Sequence, residues 1–266
     1  MKRYLLLAFL IWTGTEVSAQ IGGISGSKLR SYCVDVVDHH KIEFEPAFYY
    51  GQSRRNWNDD SKLEDTFLTS DSINHYSGVA MRFTYGLFDR LEIGISVPMD
   101  MKTTYFGAKV VLFQEQKIGF GLIGGLNVPM SEGLYNRGVR TEDNTVQAGF
   151  GGVLSYQTSN NFSIDVNLEY DHFLKKPTST KTGTIYSSLD AGYYVFHHQL
   201  QLIGTVSYEY SHVENGFTQE RLTTYAGITV ETGKSYIIVL SVPFDLYGRN
   251  VNKSVGLYMA LTLTFG

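Results

Sequence analysis

The residues whose types could do chemistry are few, and most of them are arranged against it. Gly119-Phe-Gly-Leu-Ile-Gly124 has the spacing of a dinucleotide-binding loop. That chemistry needs the glycines to end a strand and open a helix whose N-terminus receives the pyrophosphate. Here Leu126-Asn-Val-Pro-Met130 follows, and the glycines alternate along an extended segment. They read instead as places where a strand bends or a neighbour comes close. Histidines come as pairs at His39-His40 and His197-His198. Adjacent strand residues face opposite ways, so such a pair is poorly placed to share a metal unless it lies in a turn. Cys33 is the single cysteine, which excludes a disulfide framework and a thiolate zinc cluster. No metal and no cofactor are expected. A lipid-modifying enzyme would need a His and a nucleophilic Ser together at a membrane-facing rim. His172 sits on an apolar face, but the next residue but one is Leu174, and nothing selects Ser187 on the following strand. No catalytic residue is assigned.

Charged residues say more. Glu45, Arg82, Lys109 and Asp190 fall near the middles of alternating segments, on the polar face, with Asn167 and Thr205 between them. Glu92, Asp165, Glu169, Glu209, Arg221 and Glu231 share that face nearer the segment ends. Inside a closed wall, such charges either pair to brace it or form a constriction that selects solutes by charge. Both readings need the same residues. Glu45, Arg82, Lys109, Asn167, Asp190 and Thr205 are therefore the candidate pore-lining set.

The elements that must position them alternate with period two. In Phe162 to Phe173 (FSIDVNLEYDHF), Phe162, Ile164, Val166, Leu168 and Tyr170 face one way and Ser163, Asp165, Asn167, Glu169 and Asp171 the other. A helix would mix those sets, so the segment is a strand. The same pattern predicts strands over 41–50, 76–87, 91–98, 105–113, 118–128, 145–156, 162–173, 184–196, 199–211, 221–231, 236–244 and 253–265. Short links (Phe88 to Arg90, Gln114 to Lys117, Gln157 to Asn161, His197-His198, Thr232 to Ser235) alternate with longer ones at 51–75, 99–104, 129–144, 174–183, 212–220 and 245–252. Large apolar residues take one face and small or polar ones the other. In the last strand Val255, Leu257, Met259, Leu261, Leu263 and Phe265 oppose Gly256, Tyr258, Ala260, Thr262 and Thr264. Aromatics gather near strand ends, at Tyr49, Tyr50, Tyr76, Phe88, Tyr105 and Phe113 in the first half and at Tyr156, Phe162, Phe173, Tyr210, Tyr236 and Phe244 in the second. These are the marks of an all-β, transmembrane, antiparallel up-and-down β-barrel of about 12 strands, with interfacial aromatic girdles.

Composition agrees. Of 266 residues only 18% are charged, below the roughly 25% usual in soluble domains, and Gly (27) and Tyr (19) stand out. Net charge is −4 without a basic stripe, which excludes a nucleic-acid partner. At the N-terminus, Lys2 and Arg3 precede the apolar Tyr4 to Gly14, and Val17-Ser18-Ala19 supplies small residues before Gln20. Residues 1–19 thus read as a cleaved signal peptide, too short to span a membrane. Residues 20–40 read as a periplasmic lead-in or small plug, and 41–266 as the barrel. Export in a double-membraned, Gram-negative cell places the barrel in the outer membrane, termini periplasmic, with lipid and the barrel-insertion machinery as partners.

Tyr85-Gly-Leu-Phe-Asp-Arg-Leu-Glu-Ile-Gly-Ile-Ser-Val-Pro98 resembles a turn and strand of an outer-membrane barrel transporter family named for the meta-pathway of phenol degradation. Weaker similarity runs through Tyr105 to Lys109, Ser241 to Phe244 and Leu261 to Phe265. The resemblance implies a barrel and passive passage of a small, aromatic or hydrophobic solute, and it brings no catalytic residues. One departure is Gly266 after Phe265, where many outer-membrane barrels end on the aromatic residue read by the insertion machinery. A passive channel is the expected function. The alternatives are a closed structural or surface-interaction barrel and a lipid-modifying enzyme.

Overall fold

A computed structural model describes residues 21–26, 29–66, 73–99, 103–130, 146–158, 161–174, 181–195, 199–213, 218–232 and 235–266. The signal-peptide reading, the His197-His198 turn and nearly all of the 129–144 link lie outside these residues.

Each alternating segment forms a strand of one antiparallel sheet. In chain order these are β1 (Ile42–Trp57), β2 (Leu63–Asp65), β3 (Asn74–Phe88), β4 (Leu91–Pro98), β5 (Thr103–Glu115), β6 (Ile118–Pro129) and β7 (Gln147–Gln157). They continue with β8 (Phe162–Phe173), β9 (Lys181–Val195), β10 (Leu200–Val213), β11 (Thr218–Glu231), β12 (Tyr236–Arg249) and β13 (Val251–Phe265). Every long strand pairs with its chain neighbours, and β13 returns to pair with β1 from Ile42↔Phe265 to Trp57↔Val251. Twelve long strands therefore close a barrel among the described residues. The three-residue β2 only adds a short flap to the top of β1 through Arg55↔Asp65 to Trp57↔Leu63. Closure leaves no unpaired edge, which an apolar membrane interior requires.

The wall is turned inside out relative to a soluble protein. Phe106 (43%), Phe150 (66%) and Leu168 (59%) are exposed on its outer face. Glu92, Lys109 and Asp190 are fully buried on the inner one. Such an apolar exterior is stable only against lipid.

Two expectations need correction. The 245–252 link is strand: β12 runs to Arg249, β13 starts at Val251, and Asn250 (φ 54°) alone turns the chain. Likewise β1 continues through Arg54, Arg55 and Asn56 into what reads as a loop. About nine to eleven residues suffice to cross the apolar layer, so the tops of these 14- to 16-residue strands stand clear of it. There, outward polar side chains cost nothing, and alternation fades while the hydrogen-bonded ladder continues. Secondly, Tyr49, Tyr76 and Tyr105 do not belong to the outer girdles. They share parity with Glu45, Arg82 and Lys109 respectively and line the lumen. Exposed Phe88, Tyr156, Phe162 and Tyr236 do ring the turn end on the outside.

Candidate functional site in the barrel lumen

Residues 21–26 and 29–37 run along the inside of the barrel. Six of their apolar side chains, Ile21, Ile24, Leu29, Tyr32, Val34 and Val37, are at least nine-tenths buried. Ile21, Ile24 and Tyr32 pack with Ile123 and Val153, while Leu29 packs with Ile203, Val239 and Ala260. A segment without regular structure must place its backbone N–H and C=O groups on other partners. Here the wall's inward polar side chains supply them.

Glu92 on β4 and Asp190 on β9 each accept three hydrogen bonds from the segment. The Glu92 carboxylate accepts from Ser25 N (2.7 Å), Ser25 Oγ (2.5 Å) and Val37 N (2.8 Å), and pairs with Lys109 Nζ at 3.2 Å. Lys109 on β5 in turn donates to the carbonyls of Ser25 (2.9 Å) and Cys33 (3.1 Å). On the far wall, Asp190 Oδ2 accepts from Ser31 N (3.1 Å) and Leu29 N (3.3 Å), and Ser188 takes Ser31 Oγ at 2.7 Å. Asn167 clamps Tyr32 from both sides, accepting from its N–H (2.5 Å) and donating to its carbonyl (2.9 Å). Ser155 Oγ accepts from Val34 N at 2.8 Å. Tyr32 Oη donates to the Ile21 carbonyl. Burial holds that hydroxyl well above its ordinary pKa, so it stays a donor.

Of the six candidate lining residues, Glu45, Arg82, Lys109, Asn167 and Asp190 are therefore part of one buried network. Arg82 pairs with Glu43 (2.5 Å) and Glu45 (2.8 Å) and donates to the Ile24 carbonyl. Glu45 also accepts from Thr262 Oγ1 at 2.5 Å. Thr205 is buried, but its hydroxyl has no hydrogen-bond partner among the described residues. Glu92 reads from sequence as a charge near a strand end, yet it accepts three hydrogen bonds from the segment, as many as Asp190 does. Its proximity to the turn at Asp89 in sequence hides that the segment passes at this depth.

Interior glycines make room for the segment. A Cβ at Gly86 would overlap the carbonyl oxygens of Val37 and Asp38, and one at Gly107 would overlap the Gly22 carbonyl and sit 2.8 Å from Ile24 Cγ2. Gly119 and Gly121, from the dinucleotide-like run, face Val34 inside β6. That run is a strand, and its glycines admit a side chain instead of a phosphate. His39 and His40 stack on each other (3.7 Å) where the chain leaves the lumen for β1, and His40 Nδ1 lies 2.9 Å from Tyr85 Oη. On the outer face, His172 Nδ1 lies 3.4 Å from Tyr170 Oη.

Above the segment, toward the end bearing the longer links, remains a cavity of about 680 Å³. Ile21 to Ile24, Leu29, Arg30 and Tyr32 form its floor. Its sides carry Tyr49, Tyr76, Tyr105, Tyr225 and Tyr258, with Arg221 and Asp245 higher up. Asp245 is satisfied by Thr223 (2.6 Å) and Ser254 (2.5 Å).

A closed twelve-stranded wall, apolar outside and polar inside, is the fold of an outer-membrane channel. Residues 56–261 match the family model described as "Putative MetA-pathway of phenol degradation", and the chain belongs to that family. Among solved structures, an outer membrane channel from Pseudomonas putida F1 is 11% identical with a TM-score of 0.68, over 87% of this chain and 98% of that one. The KdgM porin, solved with disordered oligogalacturonate, is 11% identical (TM-score 0.49; 85% and 99% covered). The CymD monoaromatic hydrocarbon channel is 8% identical (TM-score 0.45; 85% and 89% covered). Comparison with curated protein sequences finds no match.

Proposed function

We propose that this barrel is a passive outer-membrane channel for a small aromatic or hydrophobic solute, and that the lumenal segment, residues 21–26 and 29–37, is its closure. The carrying observation is the tyrosine-sided cavity, whose floor is made of that segment and not of the wall. Tyrosine offers a flat apolar face with a polar edge, which suits an aromatic solute bearing one polar group. Family membership supports the same reading. In this reading residues 1–19 are removed on export, the insertion machinery delivers the barrel, lipid surrounds it, and both termini face the periplasm. Arg82 and Lys109 would set the charge of the path alongside Glu45 and Asp190 once the segment moves.

Planar-bilayer recording of the refolded chain from Gln20 to Gly266 tests this. Rare, reproducible conductance steps are expected, and Arg82→Ala and Lys109→Ala should each shift the reversal potential toward cation selectivity. Unchanged reversal potentials in both variants would remove these residues from the path. Orientation is tested separately in a Cys33→Ser background. Cys at position 60, in the turn where Ser61 N donates to the Asn58 carbonyl at 3.0 Å, should react with a membrane-impermeant maleimide in intact cells. Cys at position 89, in the opposite turn, should not; the reverse pattern would invert the barrel.

The number of hydrogen bonds holding the segment favours a second reading, a permanently closed structural barrel. Silence from a folded barrel, persisting after residues 21–37 are deleted, would select it.

A further inference from the structure

Two tyrosines of the cavity are laid flat against the wall by glycines. Across β1 and β3, Tyr49 is opposite Gly78 and Gly51 is opposite Tyr76, so tyrosine and glycine alternate on the inner face of both strands. An added Cβ at Gly78 would overlap Cζ, Oη and Cε1 of Tyr49, and one at Gly51 would overlap Cζ, Oη and Cε2 of Tyr76. In each case Cζ and the two atoms bonded to it are almost equally distant, at well over a bond length. A point in the plane of the ring can be equidistant from those three atoms only at about a bond length. Each glycine therefore lies beneath a ring face and not beside a ring edge. The opposite face turns away from the wall, into the cavity that both tyrosines line. The next inward positions toward the segment are Ala47 and Ala80, opposite each other and also bordering the cavity. Their methyl groups are too short to rise in front of the rings. Below them Arg82 donates to the Ile24 carbonyl and so fixes the floor. Tyr258 on β13, opposite Tyr49, continues the patch to the side.

We propose that Tyr49 and Tyr76 form a stacking platform for one planar aromatic ring, and that the cavity selects solutes by flatness and not by apolarity alone. The inference rests on the aromatic-solute reading given above and narrows it. Offset stacking needs an open ring face, and it contributes beyond the area that the two rings bury. A side chain free to rotate presents such a face only part of the time. Here the glycines hold two faces in place, so little rotamer freedom is left to lose on binding. Neighbouring strands are about 4.8 Å apart, which sets the two rings side by side within the reach of a single guest. A saturated ring of the same size buries a similar area, but it is puckered and has no π face to offer. The cavity of about 680 Å³ is of the size that holds small ligands.

The test titrates the refolded chain in lipid nanodiscs with resorcinol and with the cyclohexanediol of the same substitution pattern, subtracting empty nanodiscs. Both probes are neutral, soluble in water and carry the same hydroxyls, but only resorcinol is planar. Calorimetry should give a dissociation constant about tenfold lower for resorcinol, the order expected of stacking on two rings. Tyr49→Leu/Tyr76→Leu keeps apolar side chains and removes the flat faces, so it should bring the two constants together. Gly51→Ala/Gly78→Ala keeps both tyrosines but lifts them off the wall, and it should abolish the preference as well. The atoms an added Cβ meets at these glycines are the far ends of flexible side chains, so the barrel should still close. Should either pair of substitutions fail to refold, the other decides. Equal constants for the two probes in the native chain overturn the proposal, and so does binding of neither. A preference that survives the substitutions also overturns it, because the planar guest would then sit elsewhere. Binding is read here without any current. A silent barrel that prefers resorcinol keeps the platform and loses the channel reading, whereas a conducting barrel that binds both probes alike keeps the channel and loses the platform.

Discussion

Replacing Glu92 by Ala is expected to release the N-terminal segment and turn a mostly closed barrel into a conducting one. The variant removes the acceptor of three segment donors and leaves Lys109 buried without its carboxylate. Deleting one partner of a buried ion pair costs about 3–5 kcal/mol. At 1.4 kcal/mol per decade, the open population should rise by roughly two to three and a half orders of magnitude. The wall should survive, because β4 keeps its ladders to β3 and β5 from Leu91 onward. Bilayer recordings should show long open events where the native chain is expected to show rare ones. Glu92→Ala/Lys109→Met should restore part of the stability by removing the stranded ammonium, without restoring closure. A Glu92→Ala barrel that stays silent would show that other contacts hold the segment.

Gly107→Val is expected to reach the same open state by shape instead of charge. The three nearest atoms an added Cβ would meet belong to Gly22 and Ile24, all in the segment, so the wall can accept the side chain and the segment cannot. Overpacking typically costs about 1–3 kcal/mol, so openings should become about ten- to a hundredfold more frequent. Heat-modifiable gel migration should still report a closed barrel. Gly204→Ala, where an added Cβ meets nothing within 4 Å, should behave as the native chain in both assays. If both glycine variants are silent, the segment does not lie along this track in the membrane.

Much of the wall is legible in the sequence because one physical constraint repeats twelve times. Lipid outside and polar groups inside enforce the alternation, and β4 and β8 run over the very residues it predicts. Strand tops are legible only where that constraint acts, which is why β1, β12 and β13 outrun the pattern. The inner face is legible as a set of residues but not as a site. Parity alone puts Glu45, Arg82, Lys109, Asn167 and Asp190 inside, and would have put Tyr49, Tyr76 and Tyr105 there too. What parity does not carry is the path of residues 21–26 and 29–37, because a segment without a period leaves no mark on the side chains it meets. Its nearest trace is the glycine track at 86, 107 and 119, where the wall gives up side chains on its inner face. Glycine at strand positions admits several explanations, and only the neighbouring atoms choose among them.

The segment's anchors also have a mechanical meaning. Ser25 and Val37 are tied to Glu92 on β4, and Ser31 to Asp190 on β9, five strands away around a ring of twelve and so nearly opposite. A chain fixed at both ends across a hoop is a cross-member. It holds the hoop round against the sideways pressure of the surrounding bilayer. On the closure reading, a segment that leaves takes the brace away with the stopper, so an open barrel is expected to be a softer one. On that reading the same Asp190 and Glu92 set both how wide the hole is and how far the hoop can flatten.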